Sequence, residues 1–180
     1  MIKDVVLTSK DVLDYHAFVL FGSRRARNQH FFNTLGVFAE AMIAGFIVDK
    51  LANTQYYTIA GIIFGVIWLF AYPVFLKRKR LNALRKIKGE DSQKSMKFAV
   101  NDEYFAFYES EISDKEKFEF DRVSEIYELK NIFVIFLHDK IHIIIPKDDE
   151  STELIKKIAK NTKKPIARYE KLDYESVFLA

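Results

Sequence analysis

Residues 56–76 read YYTIAGIIFGVIWLFAYPVFL, and none of these 21 positions carries a charged side chain. A helix needs about 20 consecutive apolar residues to cross the hydrocarbon core of a bilayer. Eleven of the side chains are Ile, Leu, Val or Phe, and on an insertion scale they contribute roughly −3 to −7 kcal/mol together. The stretch is therefore predicted to be a transmembrane helix.

A weaker apolar stretch precedes it in the chain. Residues 31–48 read FFNTLGVFAEAMIAGFIV and contain one charged side chain, Glu40. A charge near the middle of a helix costs about 2.5 kcal/mol or more on the same scale, so this span is marginal when taken alone. Because only residues 49–55 separate it from residues 56–76, the two spans are predicted to insert together as an antiparallel hairpin.

Basic residues flank the predicted hairpin on both sides, whereas the connecting loop contains only Lys50. Positive charge collects on the cytoplasmic side of membrane proteins, so both termini are predicted to be cytoplasmic. Near an anionic leaflet each such residue also contributes about 1 kcal/mol of attraction. Two interpretations stay open, namely that these cations only set the topology or that they also bind anionic lipid. The residues concerned are Arg24, Arg25, Arg27, Lys77, Arg78, Lys79 and Arg80.

Charge is distributed unevenly along the 180 residues. Residues 1–88 have 13 Lys and Arg against 5 Asp and Glu, whereas residues 89–180 have 15 against 20, so that net charges of +8 and −5 give the overall +3. The acidic second half lacks the basic stripe expected of a nucleic-acid-binding surface, and no nucleic-acid partner is predicted. The absence of cysteine excludes disulfides and thiolate metal sites.

Catalytic and metal-binding signals are missing from the sequence. No G-x-S-x-G, H-E-x-x-H, P-loop or G-x-G-x-x-G pattern occurs. A two-residue turn is predicted at 139–140, which sets His138 opposite Ile141 and His142 opposite Leu137 and keeps the two histidines from sharing a ligand. We therefore predict no enzyme activity, no catalytic residue, no metal site and no cofactor.

Alternating apolar and polar residues replace continuous apolarity after residue 95. Met96, Phe98 and Val100 follow this pattern, as do the phenylalanine pairs at 105 and 107 and at 118 and 120, which predicts half-buried strands. Turns are predicted at 101–103 and 109–116. Further strands are predicted at 123–129, 132–137 and 141–145. The last two are apolar on both faces, so a helix, the N-terminal segment or a second subunit is expected to cover the second face.

One amphipathic helix is predicted at 151–160, with acidic residues at its start, lysines at its end and Leu154, Ile155 and Ile158 on one face. A strand at 2–7 and a helix at 9–21 precede the hairpin. The predicted fold class is an α+β membrane protein, a two-helix transmembrane hairpin joined to a small antiparallel-sheet domain that the helix closes, as in the pleckstrin-homology superfold. The predicted segments are 1–30, the hairpin at 31–76, a basic linker at 77–95, the sheet domain at 96–160, and a tail at 161–180 whose conformation stays open.

Glu40 is the most informative polar residue of the hairpin. Counted outward from the loop, it is expected level with Phe64 or Gly65. An intramembrane acid must be paired, solvated or protonated. Three interpretations stay open: a protonated group that bonds within the hairpin or between subunits, part of a proton or ion route, or a more exposed position. Small residues that permit close helix packing occur on both spans, at Ala41, Gly45, Gly61 and Gly65.

Two adjacent spans with basic flanks are followed along the chain by DRVSEIYELKNIFVIFL (121–137) and by IIIPK (143–147). In these two segments and in the order of its elements the chain resembles the YcxB-like family of bacterial membrane proteins. This resemblance implies a two-span anchor in a bacterial cytoplasmic (inner) membrane and a cytoplasmic, pleckstrin-homology-like C-terminal domain. It implies no catalytic residues.

These observations predict a non-enzymatic membrane-anchored protein whose cytoplasmic domain binds a protein partner or a second copy of the chain. The apolar strands at 132–145 and the small-residue faces of the spans motivate this expectation. Two alternatives stay open: a channel or transporter subunit that uses Glu40, and a sensor of anionic lipid. Membrane lipid is an expected partner in every case.

Overall fold

The computed structural model describes residues 2–87, 94–109 and 116–179. Residues 110–115 of the turn predicted at 109–116 and residues 88–93 of the predicted basic linker lie outside these residues. The chain divides into two compact units, one formed by residues 19–86 and the other by residues 1–18 together with 87–180. The protein is α+β, with two long apolar helices and two sheets in which every described strand pair but one is antiparallel.

The unit at 19–86 is a helical hairpin. Helix α2 spans Arg24–Ala52 and helix α3 spans Tyr56–Ile87, so the connection is shorter than the predicted loop. The Asp49 carboxylate binds the start of α3, accepting hydrogen bonds from the backbone N–H groups of Tyr57 (3.0 Å) and Thr58 (2.7 Å) and from the Thr54 hydroxyl (2.6 Å). Both helices are long and apolar enough to cross a membrane, and only 11% of the most apolar window of each is buried.

The second unit contains two four-stranded sheets. One has the order β1-β2-β3-β4 and the other β7-β6-β5-β8. The predicted strand at 2–7 is confirmed as β1, and it pairs antiparallel with β2 although the whole hairpin separates them in sequence. Phe120, predicted to extend the strand of Phe118, lies instead in a single 3-10 turn at Phe120–Arg122. The strands are β1 Ile2–Leu7, β2 Lys94–Val100, β3 Tyr104–Tyr108, β4 Lys117–Glu119, β5 Val123–Leu129, β6 Ile132–Leu137, β7 His142–Pro146 and β8 Ile166–Tyr169.

The main core of this unit lies between the two sheets and helix α4. Helix α4 spans Asp149–Thr162, two residues longer at each end than predicted. Asp148 caps its first turn by accepting from Ser151 N–H (2.8 Å), and the left-handed Lys163 ends it. Leu154, Ile155 and Ile158 are fully buried against side chains of both sheets. The predicted amphipathic helix is thus confirmed, and its apolar face closes the core.

The second face of β6 is covered by the chain itself. Ile132 and Val134 are fully buried against Phe18, which follows helix α1 (Ser9–Ala17) in a short π-helical turn at Phe18–Gly22. Tyr169 of β8 packs on the same cluster. The chain itself therefore buries Ile132 and Val134 on this face of β6.

The hairpin between β6 and β7 differs from the predicted one by one residue of register. His142 pairs with Phe136 rather than with Leu137. Lys140 adopts a left-handed conformation with a φ of 64°, and the Leu137 N–H donates to the Ile141 carbonyl (2.9 Å). The turn between the paired residues Leu137 and Ile141 therefore has three residues, 138–140, and a left-handed third residue is typical of such turns.

The C-terminal tail, whose conformation the sequence left open, is ordered structure. Strand β8 pairs parallel with the edge of β5, from Ile126 beside Ile166 to Leu129 beside Tyr169. A short helix α5 follows at Tyr174–Leu179. Helix α1 and α5 contact each other within this unit.

Candidate functional site

The two helices of the hairpin come into close contact at three glycine residues. An added Cβ at Gly45 would lie 2.4 Å from the Tyr57 carbonyl oxygen, and one at Gly61 would lie 2.5 Å from the Ala41 carbonyl oxygen. At Gly65 the added atom would lie 2.3 Å from the Phe38 ring. Ala41, Gly45, Gly61 and Gly65 therefore lie along the line of contact between α2 and α3.

Polar contacts connect the helices nearer to the ends that lie away from the loop. The indole N–H of Trp68 donates to the Asn33 carbonyl (3.1 Å), and the Asn33 side-chain amide donates to the Tyr72 hydroxyl (2.9 Å). Trp68 and Tyr72 stack with their ring centroids 5.0 Å apart. Further along α3, the Arg80 guanidinium donates to the Ala26 carbonyl (3.0 Å).

Glu40 lies on the opposite side of α2 from this contact. Helical positions advance by about 100°, which sets Glu40 roughly 100° to 160° around the helix from Ala41, Gly45 and Phe38. Its side chain is exposed, and no hydrogen bond or ion pair joins it to another residue that the structure describes. The hairpin itself therefore does not supply the partner that Glu40 would need in a membrane.

The level of Glu40 along the hairpin also differs slightly from the expectation. Ala41 lies opposite Gly61 and Phe38 lies opposite Gly65, so Glu40 is level with residues 62–63 rather than with Phe64 or Gly65. The connection between the helices covers only residues 53–55, and this shorter turn shifts the opposing positions toward the loop.

The surface around Glu40 combines small and large apolar residues. Gly36, one helical turn before Glu40, has no atom within 4 Å of the position of an added Cβ. Ala44, one turn after it, is exposed, and Ile43 and Ile47 on the same side are 59% and 52% exposed. We call this surface, formed by residues 36, 40, 43, 44 and 47, the outer α2 face.

The basic residues predicted to set topology differ in their surroundings. Arg80 is half-buried and engaged with Ala26 and with the Phe21 ring, 5.8 Å from its guanidinium carbon. Lys77, Arg78 and Lys79 are exposed on α3. Exposed positions in the first turn of α2 are occupied by the remaining members of the set, Arg24, Arg25 and Arg27.

A buried polar cluster in the unit at 1–18 and 87–180 was not predicted. The Asp14 carboxylate, 1% exposed, accepts hydrogen bonds from the Asn131 side chain (2.7 Å) and from Tyr174 N–H (2.7 Å). Asp173, 2% exposed, forms an ion pair with Lys130 (2.5 Å) and accepts from Ser176 N–H (2.7 Å). The cluster ties helix α1, the β5–β6 turn and helix α5 together.

The charges of this cluster are shaped by burial and by hydrogen bonds. Burial raises the pKa of Asp14 above its ordinary value, against the effect of the two hydrogen bonds. Burial also opposes ionisation of Asp173, but its pKa is lowered because the bonds from Lys130 and Ser176 outweigh burial. Since every buried charge here has a partner within the chain, the arrangement is structural.

The histidines and acids do not form a metal site in the part of the chain that the structure covers. Among residues 2–87, 94–109 and 116–179, no three His, Asp or Glu side chains are grouped as metal ligands. The imidazole of His142 instead bonds the Tyr15 hydroxyl of helix α1, and burial lowers the pKa of His142. This histidine joins α1 to β7.

No protein-family model, no curated protein and no solved structure matches this sequence or this fold.

Proposed function

We propose that this chain is a non-enzymatic, membrane-anchored protein that associates with itself through the outer α2 face. In this proposal the hairpin spans a bacterial cytoplasmic membrane twice and leaves both termini in the cytoplasm. The α+β unit then acts as a cytoplasmic interaction domain. The observation that carries the proposal is the outward, unpartnered position of Glu40 near the middle of the hairpin.

Membrane insertion is supported by the amount of apolar surface that the hairpin leaves uncovered. Phe31 and Phe32 on α2 are 58% and 65% exposed, and Ile67 and Phe70 on α3 are 60% and 76% exposed. A contiguous apolar surface of this kind is rare on a soluble monomer and is typical of protein or lipid contact. Basic residues flank both long helices and are nearly absent from the loop, which supports the proposed orientation.

Self-association follows from the cost of leaving Glu40 against lipid. A charged carboxylate in the hydrocarbon core is costly, and a protonated carboxyl still needs a hydrogen-bond partner there. A second copy brings an identical group, and two protonated carboxyls can each donate one hydrogen bond to the other. Gly36, one turn away and open to the outside, permits close approach of the second backbone.

The expected pleckstrin-homology-like architecture gains support from the order of elements in the α+β unit. Strands β1 to β4 form one sheet, β5 to β7 lie in the next, and α4 then closes the core between the sheets. The same order agrees with the resemblance to the YcxB-like family. We propose membership of that family on this basis.

Self-association is tested by fluorescence energy transfer between two populations of the labelled full chain reconstituted in phospholipid vesicles. Interhelical hydrogen bonds in membranes contribute about 0.6 kcal/mol on average and up to about 2 kcal/mol. We expect Glu40→Leu to weaken association by about 3-fold to 30-fold. Glu40→Gln retains a donor and an acceptor and is expected to stay within about threefold of the parent chain.

Leu35→Ala is the matched control, because Leu35 is 44% exposed and lies about 140° around α2 from Glu40. It is expected to leave energy transfer unchanged. Energy transfer no greater than that of a monomeric membrane protein at the same density contradicts the proposal. So does equal weakening by Glu40→Leu and Leu35→Ala.

A channel or transporter subunit is a second candidate, and it depends on the same assembly. Because Glu40 faces away from α3, a single hairpin has no internal path that contains it. A ring of several hairpins places the acids together along a shared axis. Proton flux into reconstituted vesicles that is lost in Glu40→Leu favours this alternative over an anchor alone.

A further inference from the structure

We propose that one face of α3, just beyond the predicted span, binds the headgroup of an anionic phospholipid of the cytoplasmic leaflet. This inference rests on the membrane insertion proposed above and goes beyond self-association. The face lines an open cavity of about 690 Å³. Its lining residues are Phe75, Arg78, Lys79, Asn82, Ala83 and Lys86.

The cations of this face are available to a ligand. Arg78, Lys79 and Lys86 are exposed, and within the described ranges none of them has an ion-pair or hydrogen-bond partner. Arg80 differs, because it already donates to Ala26. Lys77 differs in direction, because it lies about 160° around the helix from Lys79. Arg78 and Lys79 therefore line the cavity, whereas Lys77 and Arg80 do not.

Depth along α3 identifies which cations meet a phosphate. The headgroup layer on each side of a bilayer is about 5–7 Å thick. With a rise of about 1.5 Å per residue, Arg78 and Lys79 lie roughly 3–5 Å beyond Leu76, the end of the predicted span, within that layer. Lys86 lies about 15 Å beyond Leu76, where it adds attraction without direct contact.

The chemistry of the face fits a phospholipid rather than a soluble anion. The Arg78 guanidinium can bind two phosphate oxygens at once, and the Lys79 ammonium adds a point charge. Asn82 supplies amide donors one turn further out. Phe75, which lines the cavity and is 62% exposed, offers an apolar contact to an acyl chain, for which a soluble phosphate has no counterpart.

The single tryptophan of the chain provides the test. Trp68 precedes Phe75 by seven residues, so it lies within about 20° of Phe75 around α3 and about 15 Å below Arg78. The full chain is reconstituted in phosphatidylcholine vesicles that contain a minor fraction of phosphatidylglycerol. Trp68 quenching is then measured with bromine carried on the acyl chains of either phosphatidylglycerol or phosphatidylcholine. We expect brominated phosphatidylglycerol to quench Trp68 with an apparent association constant about 10-fold higher than that of brominated phosphatidylcholine.

Matched double variants separate a site from diffuse attraction. The double variant Arg78→Gln, Lys79→Gln removes two charges from the face. The double variant Arg25→Gln, Lys77→Gln also removes two charges from the basic flanks of the hairpin, but these two lie outside the face. The first pair is expected to reduce the preference to about twofold or less, and the second to retain most of it. Quenching by brominated phosphatidylcholine measures the lipid exposure of Trp68 in each variant and shows whether the hairpin is inserted as in the parent chain.

Each outcome decides the matter. No preference for phosphatidylglycerol in the parent chain, or an equal loss in both double variants, overturns the headgroup site while leaving the membrane anchor intact. Absence of quenching by either brominated lipid overturns membrane insertion and the site together. A preference that excess inorganic phosphate abolishes shows a soluble-anion site and likewise overturns the assignment to lipid.

Discussion

Four glycine-to-alanine substitutions in the hairpin are expected to differ sharply although the chemical change is identical. At Gly45 and Gly61 the added Cβ would meet a backbone oxygen of the opposite helix, at 2.4 and 2.5 Å. At Gly65 it would meet the Phe38 ring, a side chain that can rotate. At Gly36 it meets nothing within 4 Å, so in micelles dilute enough to hold one hairpin each, Gly36→Ala is the internal control for the contact of α2 with α3.

The size of each effect follows from these distances. Ordinary contacts begin at 3.4 Å, so Gly45→Ala and Gly61→Ala force the helices apart locally by about 1 Å, and overpacking of this kind costs about 1–3 kcal/mol. Alanine is favoured over glycine in a helix by about 1 kcal/mol, which offsets part of that cost. We expect a net destabilisation of about 1–2 kcal/mol at these two sites. Gly65→Ala should cost less, and Gly36→Ala should be neutral or slightly stabilising.

Unfolding of the hairpin by SDS in mixed micelles measures this series. Trp68 reports separation of the helices, because its indole donates to Asn33 across the contact and its ring stacks on Tyr72. The midpoint should fall for Gly45→Ala and Gly61→Ala and stay or rise for Gly36→Ala. A midpoint that falls equally for Gly36→Ala and Gly61→Ala would refute the close contact of α2 with α3.

Three further predictions concern the α+β unit of the full chain and use urea unfolding. Phe18→Ala removes a fully buried ring whose centroid lies 4.7 Å from that of Tyr127, and it should lower the free energy of unfolding of this unit by about 3–5 kcal/mol. Phe31 is 58% exposed, and Phe31→Ala should leave the stability of this unit unchanged. Asp14→Asn replaces one of two acceptor oxygens by a donor and should cost about 1–3 kcal/mol; exposed Asp4→Asn is its control, and equal effects would contradict the buried cluster. Burial lowers the pKa of His142 below its usual 6.5, so the unfolded chain binds the proton more readily than the folded unit does. The free energy of unfolding of the α+β unit is therefore greatest above pH 6.5 and falls as the pH drops below that value. His142→Phe should flatten that slope, and an unchanged slope would contradict this origin.

Local signals in the sequence account for most of the elements. The charge-free run at 56–76 predicts α3, and its length alone suits a membrane span. Alternation predicts the strands, and the acidic start, basic end and apolar stripe of 151–160 predict α4. Each of these signals lies within the element that it predicts, which is why a single sequence is sufficient to detect it.

The turn between β6 and β7 was predicted wrongly because its decisive feature is not a residue type. Glycine or asparagine commonly marks a left-handed turn position, whereas here Lys140 adopts that conformation. The register of β7 then shifts by one residue and brings His142 beside Phe136. Residue propensities at Asp139 and Lys140 do not distinguish the two-residue turn from the three-residue turn.

The features that matter most for function depend on contacts between distant segments. The order of residues alone shows that two long segments are apolar, that basic residues flank them and that an acid interrupts the first. The packed structure makes Glu40 face outward, because the rotation of α2 about its own axis is set by where Gly45, Gly61 and Gly65 allow the helices to touch. It also decided that Phe18 and the tail cover the second face of β6. Any apolar segment of suitable shape can cover such a face, and which segment covers it depends on packing across the whole chain.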